Sequence, residues 1–211
     1  MQIETIIVGP FEVNCYLVLD PQTRDGVIID PGGEKEKILE HVKGLTMKPL
    51  AILLTHGHGD HIAALEAVKS EFQIPHYVGK GDEPLLASPS ENVSAFYGFP
   101  IICPPADFVV NDGESIRLGK LEFSVFATPG HTPGGVCYST GKNLFCGDTL
   151  FQSSIGRTDL PGGNYEQLIN SIERNILTLP DDIICYPGHG PATTVGQERK
   201  FNPFLTGRRF V

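Results

Sequence analysis

The stretch LAILLTHGHGDH, residues 50–61, places three histidines and an aspartate directly after a continuous apolar run. The run Leu50–Leu54 is bounded by Pro49 and Thr55 and is typical of a buried strand. The segment that follows, 61–72, carries apolar residues at helical spacing and predicts an amphipathic helix. The polar cluster therefore lies at the carboxyl end of a buried strand, where α/β folds commonly place their sites.

This cluster has the composition of a metal site. His56, His58, Asp60 and His61 offer three imidazoles and a carboxylate within six residues. Both groups suit zinc, iron or manganese at neutral pH. The two intervening glycines let the backbone turn tightly, so that alternate side chains can converge. Because a structural role rarely needs so many titratable groups together, the cluster predicts a metal centre.

Three further strand ends offer one candidate ligand each. Each candidate follows an apolar strand and stands beside a glycine: His131 after 123–127, Asp148 after 143–146 and His189 after 183–186. A single His or Asp usually has an ordinary surface, turn or capping role, and we interpret His41 and His76 in that way. Beside the dense cluster, however, we expect the other three to converge with it at one edge of the sheets.

Short β-rich runs and helical segments alternate along the whole chain. Strands are predicted over 3–8, 14–19, 26–29, 50–54, 108–110, 114–118, 121–127, 135–140, 143–146 and 182–186, and helices over 34–42, 61–72 and 164–179. The stretch 80–105 is rich in Pro and Ser and predicts loop with short helices. Strand blocks with interspersed helices favour an α/β (α+β) fold with two sheets packed face to face and helices outside them. The two halves resemble each other in outline, and we expect one domain over 1–211.

Composition narrows the classes of function. The chain has 25 acidic and 16 basic residues, an excess of nine negative charges, which argues against a general nucleic-acid binder. No apolar run approaches the ~20 residues that span a bilayer, and no signal peptide is evident, so no membrane partner is expected. The five cysteines form no C-x-x-C pair, which argues against a disulfide framework and favours a reducing cytoplasm.

Taken together, the motifs resemble the metallo-β-lactamase superfamily. The pattern THGHGDH at 55–61 is followed, after strands, by a His, an Asp and a final His. Within the superfamily, GDTLF at 147–151 and PGHG at 187–190 resemble the glyoxalase II (hydroxyacylglutathione hydrolase) branch. SIGRTD at 154–159 and NPFL at 202–205 resemble the short bacterial proteins of that branch. The resemblance covers nearly the whole chain and implies a four-layer αββα sandwich of two similar halves, without the separate C-terminal helical domain of that branch.

The resemblance also implies two divalent metal ions. Zinc is expected first, and iron and manganese accept the same ligands. One ion would be held by His56, His58 and His131, the other by Asp60, His61 and His189, with Asp148 bridging both. Asp60 and Asp148 are the carboxylates that we expect to serve catalysis.

A two-metal centre of this kind can hydrolyse a carbonyl compound. Metals ~3.5–4 Å apart can share a hydroxide, and metal binding lowers the pKa of water toward ~7. The implied activity is a glyoxalase II-type thioesterase, which uses this hydroxide to convert S-lactoylglutathione or a similar acyl thioester to an acid and a thiol. In glyoxalase II the residue matching Arg157 is a Lys that holds a substrate carboxylate. We therefore expect Arg157 to meet an anionic, possibly glutathione-based small molecule; the alternative is an ion pair with Asp159.

Other functions stay open at this point. Persulfide dioxygenases resemble the same branch but hold one iron through residues matching His56, His131 and Asp148. A non-catalytic metal-binding protein is a further alternative. An aspartate at position 148 argues against a β-lactamase, because the two-metal members of the β-lactamase branch usually have a Cys at the matching position. The sequence is silent on oligomeric state and on the role of 80–105.

Overall fold

The computed structural model describes residues 1–207 and contains two six-stranded sheets. The strands of the first sheet follow one another in chain order: β1 (Gln2–Val8), β2 (Val13–Leu19), β3 (Asp25–Ile29), β4 (Lys48–Leu53), β5 (His76–Gly79) and β6 (Phe108–Val110). Its first three strands are antiparallel and its last three add in parallel. The helices in this half are α1 (Lys35–Gly44), α2 (Gly59–Ile62) and α3 (Leu65–Phe72).

The second sheet is formed by the second half of the chain. The strands of this half are β7 (Ser115–Leu118), β8 (Leu121–Ala127), β9 (Val136–Thr140), β10 (Asn143–Gly147), β11 (Leu150–Phe151), β12 (Ser154–Ile155), β13 (Ile184–Pro187) and β14 (Thr193–Thr194). Of these, β11 and β12 form a separate two-stranded hairpin and the other six form the sheet. The order across the sheet is β14-β13-β10-β9-β8-β7. Two helices belong to this half, α4 (Tyr165–Ser171) and α5 (Val195–Phe201).

Alternating side chains place a hydrophobic core on each face of the central strands. In β2, Cys15 and Leu17 belong to a core shared with α1 and α3, whereas Tyr16 and Val18 face the second sheet. In β10, Phe145 likewise packs between the sheets. Successive residues of a strand point to opposite faces, so one strand serves two cores. A third core lies between the second sheet and α4. The layer order is therefore helix, sheet, sheet, helix, and the predicted αββα fold is confirmed.

The two sheets are joined by hydrogen bonds at one end. The Tyr138 hydroxyl donates to the Leu54 carbonyl at 2.9 Å, and the Tyr16 hydroxyl donates to the Pro187 carbonyl at 2.5 Å. The Val136 amide donates to the Thr55 carbonyl at 2.8 Å. Since buried polar groups need partners, these bonds fix the relative position of the sheets at the end where the candidate ligands lie.

Two predicted helices differ in form from the expectation. The helix predicted over 61–72 is interrupted before Leu65, because the Ala64 amide donates to the Pro31 carbonyl at 2.9 Å. The helix predicted over 164–179 begins as expected, with the Asn164 side chain accepting from the Gln167 amide. Its α-helical part ends at Ser171 and a π-helical turn continues over 172–176.

Several short elements were missed or only outlined from the sequence. The sequence did not predict four elements, because each is too short or too polar to show a hydrophobic period. These elements are β5, β14, α5 and the β11–β12 hairpin. The stretch 80–105 contains two short 3₁₀ helices, Glu83–Ala87 and Ser94–Tyr97, as expected. The last four residues of the domain predicted over 1–211 lie outside the described ones. Within 1–207, no helix is long and apolar enough to cross a bilayer.

The core between the sheets gives the first testable prediction. Phe123 is fully buried there. We expect Phe123→Ala to lower the free energy of unfolding by about 3–5 kcal/mol, because the substitution leaves a cavity between two rigid layers. Urea denaturation followed by circular dichroism measures the loss. Phe204→Ala removes a half-exposed ring and is the control, with an expected change of about 1 kcal/mol or less. Equal losses in the two variants would contradict the prediction.

Candidate metal centre

The seven predicted ligands meet where strands of both sheets end. The loop after β4 carries His56 and His58, the first turn of α2 carries Asp60 and His61, and the loops after β8, β10 and β13 carry one candidate each. The side chains form two groups in which the possible ligand atoms lie within 4.8 Å of one another. The first group is His56, His58 and His131, and the second group is Asp60, His61 and His189.

Asp148 lies between the two groups. Its Oδ2 is 3.6 Å from His131 Nε2 in the first group and 3.6 Å from His189 Nε2 in the second. Its Oδ1 is 3.5 Å from His61 Nε2. A carboxylate has two oxygens with about four lone-pair directions, so this side chain can contact two cations at once.

Four buried atoms at the centre have no hydrogen-bond partner: His56 Nε2, His58 Nε2, His131 Nε2 and Asp148 Oδ1. Leaving a buried polar group unsatisfied costs roughly 1–3 kcal/mol. The opposite nitrogen of the His131 ring donates to the Arg157 carbonyl at 2.7 Å, so Nε2 turns a lone pair toward the centre. Converging lone pairs and carboxylate oxygens are the donor set that a divalent cation requires.

The second group fits a cation by its spacing. His61 Nδ1 donates to Asp30 at 3.0 Å, and His189 Nδ1 donates to the Phe11 carbonyl at 2.8 Å. When the rings are neutral, both Nε2 atoms therefore carry lone pairs, and the two atoms lie 3.3 Å apart. Two facing lone pairs at this distance repel unless a proton or a metal cation lies beside them. The edge of a tetrahedron around a metal with metal–nitrogen distances of ~2.0–2.1 Å is also ~3.3 Å.

The pKa values of the histidines follow the charges around them. Burial lowers the pKa of His61, but Asp60, Asp148 and Asp30 outweigh it and raise that pKa to about 10. Burial and the neighbouring His131 lower the pKa of His58 to about 3. Positive charge is thus favoured at His61, whereas His56 and His58 stay neutral, which is the form of imidazole that binds a metal.

Asp30 organises the centre and was missed in the sequence. Its buried carboxylate accepts from the Thr55 amide at 2.7 Å, from the Thr55 hydroxyl at 2.5 Å and from His61 Nδ1. Because that hydroxyl donates to Asp30, it accepts from His56 Nδ1 at 3.1 Å. Asp30 directly follows β3, just as the candidate ligands follow their strands. This position at a strand end was the sequence signal that could have identified it.

A second buried carboxylate connects the two loops of the first group. Asp82 accepts from the Gly57 amide at 2.9 Å, from the Thr132 hydroxyl at 2.7 Å and from the Gly134 amide at 2.6 Å. These partners flank the histidines of the first group. Asp82 was missed because it lies in the weakly patterned stretch 80–105, where a lone Asp indicates a turn.

Gly188 allows β13 to approach the centre closely. A Cβ atom at this position would lie 2.1 Å from Asp148 Oδ1 and 2.6 Å from His61 Cε1. Any larger residue would therefore displace the side chains of Asp148 and His61. The glycine beside the last candidate ligand is needed for space at the centre.

Arg157 lies beside the centre. Its side chain forms the ion pair with Asp159 that was expected as the alternative to substrate binding. Its Nε and one terminal nitrogen donate to the two carboxylate oxygens of Asp159 at 2.8 and 2.7 Å. Both side chains are exposed, so solvent screens the pair and a bound anion can displace it. The substrate-binding role of Arg157 stays a prediction.

The sequence is similar to a known family and to named relatives. The model of the metallo-beta-lactamase superfamily matches residues 8–189. An uncharacterized protein of Aquifex aeolicus is 44% identical over 97% of both chains. The probable metallo-hydrolase YqgX of Bacillus subtilis is 43% identical over 95% of both. Hydroxyacylglutathione hydrolase GloC of Haemophilus influenzae is 40% identical over 99% of this chain and 100% of the relative.

Solved structures agree with this fold. The B3 metallo-beta-lactamase BLEG-1 superposes with a TM-score of 0.94 at 46% identity, covering 98% of this chain and 100% of that one. TTHA1623 in a di-iron-bound form gives 0.85 at 38% identity, with 96% and 100% covered. ETHE1 from Myxococcus xanthus gives 0.82 at 31% identity, with 99% and 86% covered.

The role of Asp30 can be tested by metal affinity. We expect Asp30→Asn to weaken binding of a divalent metal about 10- to 100-fold, because the amide holds His61 less firmly and carries no charge. Titration with zinc against a competing chelator measures the change. Asp182→Asn, in an exposed ion pair with Lys142, is the matched control and should bind like the parent protein. Parental affinity in a folded Asp30→Asn variant would contradict the assignment.

Proposed function

Because the chain belongs to the metallo-beta-lactamase superfamily, we propose that it is a metal-dependent hydrolase of acyl thioesters, of the glyoxalase II type. The observation that carries this proposal is the pair of converging groups with Asp148 between them. S-lactoylglutathione is the first substrate to test, since GloC is similar over nearly the whole length of both chains.

The residues present fit two divalent ions. The first group would hold one ion, the second group the other, and Asp148 would contact both. Bound ions supply Lewis acidity, which polarises a carbonyl and lowers the pKa of water. Zinc is the first choice, and the di-iron form of TTHA1623 makes iron the next.

The carboxylate of Asp60 is the proposed proton acceptor. Burial raises its pKa, but His61, His189 and His58 more than offset this and leave the pKa far below its usual range. Asp60 is therefore ionised at neutral pH, so it can orient the attacking water and receive its proton as the water oxygen bonds to the carbonyl carbon and the proton becomes acidic. The water oxygen bonds to the carbonyl carbon, the proton passes to Asp60, and the carbon–sulfur bond breaks to release a thiolate. Because a thiolate is stable near neutral pH, it leaves without a separate general acid.

The accessibility of the centre favours catalysis over a purely structural role. The side chains of Asp60 and His189 are 15% and 27% exposed. Structural zinc sites are closed and four-coordinate, whereas catalytic sites keep an open position. A small molecule can therefore reach the second group from solvent.

A persulfide dioxygenase is the second candidate. It would hold one iron through His56, His131 and Asp148, and these residues supply three of the four unpaired buried atoms. The likeness to ETHE1 points the same way. The second group is the observation against it, since a single iron at that position would leave Asp60, His61 and His189 without a metal ion. Oxygen consumption with glutathione persulfide distinguishes the two activities.

A β-lactam is the third substrate class to test. The likeness to BLEG-1 supports it, although Asp148 stands where two-metal β-lactamases usually carry a Cys. Both substrates contain a carbonyl, so the same nucleophile could act on either. Hydrolysis of a chromogenic cephalosporin beside the thioester assay separates them.

The cysteines support the proposed cytoplasmic location. Within residues 1–207 all five are buried and unpaired.

The same cysteines are unsuited to act as nucleophiles. Burial raises the pKa of Cys103 and of Cys185 to about 12. These thiols therefore stay protonated, and none has the low pKa of a catalytic nucleophile.

The thioesterase proposal predicts metal-dependent turnover of S-lactoylglutathione. Loss of thioester absorbance should be rapid in zinc-loaded protein and absent after chelation. We expect Asp60→Asn to reduce kcat about 100-fold or more, because the variant loses the proton acceptor and a metal-binding oxygen. Asp182→Asn is the matched surface control. Failure of protein shown to hold metal to turn over thioesters would reject the proposal.

The role of Arg157 predicts a selective effect on KM. We expect Arg157→Ala to raise KM for S-lactoylglutathione about 10- to 100-fold, because a charged hydrogen bond to a substrate carboxylate is lost. The N-acetylcysteamine thioester has no carboxylate, so its KM should not change. Asp159→Ala frees Arg157 and should not raise either KM. An unchanged KM for the glutathione thioester in Arg157→Ala would assign this residue to the ion pair alone.

A further inference from the structure

An apolar cleft opens beside the second group. Val8 and Val13 form its buried floor, and Phe11, Tyr97 and Phe99 form its rim. The cleft has a volume of about 340 Å³. Small-molecule sites typically enclose roughly 300–1,000 Å³ and are lined mostly by apolar side chains. The cleft therefore has the size and lining of a subsite for part of a small molecule.

The cleft adjoins the candidate metal centre at Asp60. Gly59 and Asp60 line it on one side, and Asp60 belongs to the second group. On the other side, the Phe11 carbonyl accepts the hydrogen bond from His189 Nδ1. A molecule whose carbonyl reaches the second group can thus extend an attached group directly into the cleft.

The rim exposes aromatic surface that a ligand would cover. The rings of Phe11 and Tyr97 lie in contact, with centroids 4.5 Å apart. The Phe99 side chain is 75% exposed. Contiguous exposed apolar surface in a folded protein commonly marks a binding site. Its position at the mouth of the metal centre points to the substrate.

The charges around the cleft disfavour an anionic occupant. Apart from Asp60, its charged lining residue is Glu34, whose carboxylate accepts from the Gly9 amide at 2.9 Å and lies 3.8 Å from Lys37 Nζ. A carboxylate-bearing group in the cleft would meet like charge. An uncharged apolar chain would instead bury methylene groups against the aromatic rim.

We propose that this cleft binds the acyl group of the thioester and selects uncharged apolar acyl groups longer than lactoyl. The inference rests on the proposed thioesterase function and names its substrate class. The thiol portion would extend away from the cleft. Residues 94–101, which supply much of the rim, would then set the acyl specificity of the enzyme.

A series of N-acetylcysteamine thioesters tests the acyl preference in zinc-loaded protein. The acetyl, butanoyl and hexanoyl esters share one neutral thiol and differ only in chain length. We expect kcat/KM to rise about threefold for each methylene that the cleft buries. Phe99→Ser should lower the ratio of hexanoyl to acetyl kcat/KM about fivefold or more, and Phe204→Ser, a half-exposed ring outside the cleft, should preserve it. A ratio of one in the parent protein would overturn the inference while leaving the thioesterase in place.

A binding measurement is independent of turnover. The chain contains no Trp, so Phe99→Trp places a single tryptophan at the rim, and its emission can be excited apart from that of tyrosine. Hexanamide should shift its emission saturably, whereas acetamide, which carries the same uncharged amide, should not. Equal responses to the two amides would overturn the apolar subsite. If metal-loaded protein hydrolyses no thioester, the thioesterase proposal fails, and the fluorescence titration decides the apolar subsite alone.

Discussion

The hydrogen bonds to the buried carboxylate of Asp30 are the interaction on which the candidate metal centre depends. This carboxylate joins the end of β3 to the end of β4 through Thr55, and it joins both to the second group through His61. The Thr55 hydroxyl extends this network to His56 in the first group. A buried charge is tolerated only when it is fully hydrogen-bonded, so the loop at 55–61 is held in one conformation. The direction of the ring nitrogens follows from that conformation.

A second buried and hydrogen-bonded carboxylate, Asp82, fixes loops of the centre in the same way. Asp82 holds the loops of the first group together, as Asp30 holds the end of the first sheet. The inter-sheet bond from Tyr138 and the close approach at Gly188 then bring the second sheet to the correct distance. Neither sheet supplies a complete group alone. The centre is therefore a product of sheet packing as much as of the dense motif.

The sequence was informative where the signal was local. The cluster at 56–61, the apolar strand that precedes it and the glycines beside His131 and His189 are readable within a few residues. Asp30 and Asp82 were not found, because their partners lie 25 to 52 positions away and a lone carboxylate indicates a turn. The short strand β5 carries too few residues to show alternation. The aromatic rim of the cleft arises only when residues 94–101 fold against the β1–β2 turn.

The distribution of the candidate ligands along the chain has a consequence for biosynthesis. His56, His58, Asp60 and His61 are made first, but the first group needs His131 and the second needs His189. While the ribosome still holds the segment that carries β13, a nascent chain can complete at most one group. The full centre therefore forms only after nearly all of the domain has been synthesised. Loading with two metals would report that both halves of the protein have folded onto each other.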